Sequence, residues 1–131
     1  MAMSDKDHAL QLLEMATRDH NALINMQDPE GFSDEIFGFH AQQAIEKALK
    51  AWIAVGGLTY PKSHDVSILI RILETAGSDL SEFPNLEDYT PFAVQYRYEM
   101  MMGDEKLARN EAALEIRQFL DHVRRIVENH P

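Results

Sequence analysis

The segment from Phe37 to Val55 constrains the fold most. Phe37, Ala41, Ala44, Ala48, Trp52 and Val55 recur at intervals of three and four residues. That spacing lines one side of an α-helix. His40, Gln43, Lys47 and Lys50 recur at the same intervals and make a second row, polar and basic. A helix that needs only solubility has no reason to order those groups. The segment is therefore expected to build a core and to present its polar row to something. The alternative is a solvated face, in which Glu46 and Lys50, four apart, make a surface pair worth about 0.3–0.5 kcal/mol.

The rest of the chain carries the same periodicity. Ser4 can cap a first helix that runs to about Asn25, with Leu10, Leu13, Ala16, Leu23 and Ile24 on its apolar side. Asp28-Pro29-Glu30-Gly31 reads as a loop, and Ser33 or Asp34 as the cap of the second helix. Gly56-Gly57 ends that helix, since glycine accepts a left-handed C-terminal conformation. A third helix is expected after His64-Asp65, with Val66, Leu69, Ile70 and Leu73 facing inward and Gly77 as its stop. Residues 78–89 read as a loop with one helical turn. Thr90-Pro91 starts a fourth helix that runs to about Met102. The last helix takes residues 105–129, with Ala112, Ile116, Phe119, Val123 and Ile126 as its stripe. No segment alternates with period two, so no sheet is expected. The prediction is an all-α, antiparallel up-and-down bundle in one domain, residues 1–131, with Trp52, Phe92, Tyr96 and Met100–Met102 buried between helices or subunits.

Charge narrows the function. The formal net charge is -10, unevenly spread. Residues 1–39 hold eight acids and two bases, net -6; residues 40–75 hold three acids and four bases, net +1. Residues 76–105 hold seven acids and one base, net -6; residues 106–131 hold four acids and five bases, net +1. An acidic chain repels phosphate at long range, so indiscriminate nucleic-acid binding is not expected. A nucleotide or RNA contact would have to sit in a local pocket built from residues 40–75 and the last helix. The chain has no cysteine, so disulfides and thiolate metal sites are ruled out. No apolar run is long enough for a membrane span, and the start lacks the build of a secretory leader. A cytoplasmic protein with no membrane contact is expected. The histidines are scattered and no glycine-rich loop opens a helix, so neither a metal nor a cofactor is expected.

Three stretches together are more specific than any one of them: Phe39 to Ala51; Pro61-Lys62-Ser63-His64-Asp65-Val66; and Tyr96-Arg97-Tyr98 before a long closing helix. In that order and spacing the chain resembles the HEPN domain family over nearly its whole length. The resemblance implies four long helices plus a short one, usually as a homodimer. It also implies a small nucleotidyltransferase as partner, since prokaryotic members are commonly encoded beside one. Many such pairs behave as toxin and antitoxin, the HEPN member cutting RNA without a metal; other members have no known catalysis. Catalytic members carry an arginine followed four to six residues later by histidine. Arg117 to His122 fits that spacing, as does Arg125 to His130, although Gln118 and Ile126 depart from the usual small polar follower.

The residue chemistry suits the catalytic reading only in part. Histidine titrates near neutrality and arginine offers a fixed fork to phosphate. Five residues along a helix, however, is about 140° of rotation. Arg117 and His122 should therefore flank opposite sides of the stripe and converge only if a second subunit completes the site. Arg97 is either an internal ion pair with Glu46 or Asp65, or a phosphate-binding group. Asp65 is expected to cap the third helix, while His64 is either held by Asp65 or a base in the cleft. His20 reads as a satisfied, semi-buried histidine. The expected binding cleft comprises His40, Gln43, Glu46, Lys47, Lys50, His64, Asp65 and Arg97, with Arg117 and His122 as the candidate catalytic pair. The favoured function is a non-catalytic nucleotide- or partner-binding module acting with a nucleotidyltransferase. The alternative is a metal-independent endoribonuclease toxin.

Overall fold

The computed structural model describes residues 3–89 and 105–131, and only the backbone of 105–107. Every regular element among the described residues is helical: α1 (Asp5–Asn25), α2 (Asp34–Val55), α3 (Val66–Thr75), a 3-10 turn (Leu86–Asp88) and α4 (Glu105–Glu128). The expected helix over 90–102, with Phe92, Tyr96, Arg97 and the methionine run, lies outside the described residues.

The starts of α1, α2 and α3 are set by side chains. Ser4 accepts from the Asp7 N–H, Ser33 from the Ile36 N–H and Asp65 from the Ser67 N–H. Each satisfies a donor that the helix itself leaves unpaired, worth about 1 kcal/mol. At the far end of α2, Gly57 takes φ +73°, and after α3 Gly77 takes φ +93°. A side chain at either place would be strained, which is why glycine ends both helices.

Thirteen residues of α2 are buried, so it is the central helix. The single stripe expected from sequence is only half of its apolar surface. Ile45, Leu49 and Ile53 form a second one, and all three are fully buried. Two stripes are needed because α2 packs against α1, α3 and α4 together. The α1 stripe also differs from expectation. Leu13, Ala16 and Leu23 are buried as read, but Leu10 and Ile24 are exposed and Ala9 and Leu12 take their places. Ala112, Ile116, Phe119 and Val123 of α4 are buried as expected. Each large side chain so enclosed contributes about 1.5–3 kcal/mol before chain entropy is set against it.

Long-range polar contacts fix the helix directions. Lys6 Nζ donates to the Glu128 and His130 carbonyls, so the start of α1 meets the end of α4. At the opposite end, fully buried Arg109 donates to the Met26 carbonyl at 2.7 Å, the Phe32 carbonyl at 2.8 Å and Asp34 Oδ1 at 3.0 Å. The same guanidinium lies over the Phe37 ring. One cation thus ties the end of α1, the start of α2 and the start of α4. Helix α1 runs antiparallel to both α2 and α4.

Candidate functional site

The polar row of α2 does not face open water. It turns toward α1 and toward the 57–65 connection. Asp19, a buried residue of α1, accepts from His40 Nδ1 at 2.9 Å and from Lys47 Nζ at 2.6 Å. A carboxylate can only accept, so Nδ1 carries the proton in the neutral His40 ring. The Lys47 side chain is 21% exposed and that of Lys50 14%. Lys50 Nζ sits 4.0 Å from Glu46 Oε2 and 5.4 Å from the centre of the Tyr60 ring. The Tyr60 hydroxyl shares a hydrogen bond with His8 Nε2 of α1. Burial pushes that hydroxyl above its ordinary value. Gln43 is half-buried on the same side.

The surface pair expected for Glu46 and Lys50 is therefore corrected. Glu46 is enclosed, and its close partner is His64, whose Nδ1 donates to Glu46 Oε1 at 2.8 Å. The two side chains differ sharply in environment: Glu46 is 2% exposed and His64 is 79% exposed. Asp65 does not hold His64. It caps α3, accepting from the Ser67 N–H at 3.0 Å and from its hydroxyl at 2.6 Å, and these bonds hold its carboxyl below the usual range. Arg97 lies outside the described residues.

Arg117 and His122 are not brought together. The Arg117 side chain is 68% exposed, 4.0 Å from Asp121 Oδ2, and lines a groove between α1 and α4 with Thr17, Asn21 and Arg124. His122 turns the other way. Its ring packs edge-on to Trp52 at 5.5 Å between centres and beside Phe83 at 5.1 Å. The rotation along α4 put them on opposite flanks, as the spacing required. His20 is satisfied: its Nε2 donates to the Ala113 carbonyl at 2.9 Å.

Two buried charges escaped the sequence reading, Asp19 and Arg109. Asp19 gave a faint signal, an acid one residue from His20 on the inner side of α1. Arg109 gave one too, since Ala108 and Ala112 flank it by a residue and by one turn. No group of three or more His, Asp or Glu that could hold a metal occurs among the described residues. Nor is any described helix long and apolar enough to cross a membrane.

Among the described residues, then, the central helix of the bundle carries an inward polar row and is joined to α3 through a Pro-Lys-Ser-His-Asp connection. The chain matches the HEPN domain family over residues 9–130 and belongs to it. No curated protein and no solved structure matches.

Proposed function

We propose that this chain is a non-catalytic, nucleotide-binding HEPN module that works as a cytoplasmic homodimer with a small nucleotidyltransferase as its partner protein. The observation that supports this reading is the divergence of Arg117 and His122. Metal-free RNA cleavage needs a base, an acid and a phosphate-stabilising cation converging on one phosphodiester. Here the arginine opens onto the α1/α4 groove, while the histidine is packed against Trp52 and Phe83. The lysines of the row point the same way. Lys47 is held by Asp19 and Lys50 lies between Glu46 and Tyr60, so neither is a ready phosphate ligand.

The test is to incubate the purified chain with RNA in the presence of a chelator and to express it alone in a bacterial host. Intact RNA, unimpaired growth and copurification with a co-expressed nucleotidyltransferase are the expected results. Growth arrest relieved by His122→Ala would replace the module with a metal-independent endoribonuclease toxin whose site is completed by a second copy.

A further inference from the structure

The pairing of His64 with Glu46 does more than hold the connection in place. Asp65 already caps α3, and Gln42 already ties the connection to α2 by donating to the His64 carbonyl at 3.2 Å. Burying a carboxylate is costly unless its partners compensate. Lys50 Nζ lies 4.0 Å from one oxygen of Glu46, and the close partner of the other oxygen is an imidazole that stands mostly in water. The arrangement fixes the ring. Glu46 accepts from Nδ1–H, so Nε2 of the neutral ring presents a lone pair outward. A buried acid that orients an exposed histidine is a way to present one acceptor at a set place.

His64 lines a groove of about 390 Å³ between α2, the start of α3 and the 3-10 turn. That volume is within the range of small-molecule sites. Val66, Leu86 and Tyr89 supply apolar surface, while Gln42 and Ser67 supply amide and hydroxyl groups. The charged residues that join them are Asp65 and Glu87, both acids. A phosphate inside this groove would meet two carboxylates and, among the described lining, no cation but a protonated histidine. An uncharged, flat, partly apolar ligand with an N–H to donate meets none of that repulsion.

We propose that this groove is the base subsite of the module. It takes an uncharged nucleobase such as adenine, whose N–H donates to His64 Nε2, and it leaves any phosphate outside. The proposal rests on the nucleotide-binding reading and deepens it by naming the part of the nucleotide that is recognised.

Calorimetric titration of the full chain with adenosine, AMP and ribose 5-phosphate tests it. Adenosine is expected to bind, AMP to bind no tighter than adenosine at low salt, and ribose 5-phosphate not to bind. His64→Ala, a change at an exposed side chain, is expected to weaken adenosine at least tenfold with the helical circular dichroism unchanged. Glu46→Gln should also weaken it, because a neutral amide no longer fixes the ring. Nitrogen NMR of the imidazole gives a readout that a merely structural role would not move: Nδ1–H in the free protein and a shift at Nε2 on adding adenosine. No adenosine binding, AMP at least tenfold tighter than adenosine, or binding indifferent to His64→Ala would each overturn the subsite. Nucleotide binding indifferent to His64→Ala would leave the module standing with its site elsewhere. RNA cleavage would remove the module reading whatever adenosine does.

Discussion

Replacing Arg109 with methionine tests whether one buried cation holds the three chain ends at that pole of the bundle. The guanidinium is fully buried and, among the described residues, makes close bonds to the Met26 and Phe32 carbonyls and to Asp34. Methionine fills much of the volume, so the loss is mainly polar rather than a cavity. Hydrogen bonds from a charged group contribute about 1.5–3 kcal/mol each, and acceptors left without a partner cost about 1–3 kcal/mol. The Asp34 side chain is 30% exposed and can turn to water, so its share is at the low end. Removing the buried cation also relieves its desolvation, so the net loss is about 3–5 kcal/mol, the range for breaking a buried charged pair by removing one partner. Against a total stability of about 5–15 kcal/mol, that is large. With a urea m-value near 2 kcal/mol/M, the unfolding midpoint should fall by about 2 M. Asp34→Asn removes the charge but keeps an amide oxygen that can accept from Arg109, and it leaves both carbonyl bonds in place, so about 1 kcal/mol is expected. A loss below 1 kcal/mol for Arg109→Met, or an equal loss for Asp34→Asn, would refute the account of Arg109 as a three-way tie.

Two further outcomes follow from the same kind of accounting. Asp19→Ala leaves Lys47 and His40 without their shared carboxylate, so a loss of about 2–4 kcal/mol in urea unfolding is expected; Asp19→Ala together with Lys47→Met should recover part of it, and a double variant worse than the single one would show that the charge pairing is not the cause. Asp65 has its folded-state pKa lowered by the Ser67 bonds from an ordinary 3.8. The cap therefore stabilises fully above that ordinary value and loses its contribution as pH falls through the lower folded value. Acid unfolding of Asp65→Asn should show a shallower pH dependence below about pH 4, and an unchanged acid limb would contradict the sign.

Helix boundaries were legible because they are local. Ser4, Ser33 and Asp65 bond to N–H groups two or three residues away, so residue type and spacing contain the information. The inward apolar positions of α3 and α4 were legible for the same reason, since periodicity is a property of one segment. What the spacing could not settle is where a polar side chain finds its partner. His40 and Asp19 are 21 positions apart, Glu46 and His64 18, and Arg109 and Met26 83. The row His40, Gln43, Lys47, Lys50 was visible as a row, but its direction depends on Asp19 arriving from another helix. The second stripe of α2 was hidden likewise. Ile45, Leu49 and Ile53 interleave with the polar row in sequence, and only packing on several sides shows that both must be enclosed.

The direction of that row bears on which ligands the protein can take. Lys47 and Lys50 are the cations of α2, and both are largely enclosed and directed at carboxylates of the chain itself. Drawing them inward takes two cations from the surface of a chain that already carries a formal charge of -10. Long-range steering then works against RNA, and the α2 lysines add little to counterion release at a run of phosphates. A base read by hydrogen bonds needs neither. One oriented acceptor beside apolar surface suffices, and the proposed site takes it from the His64 ring that Glu46 holds. The buried network and the exposed imidazole are thus parts of one arrangement, in which charges satisfied inside the bundle leave a neutral hydrogen-bonding site outside it.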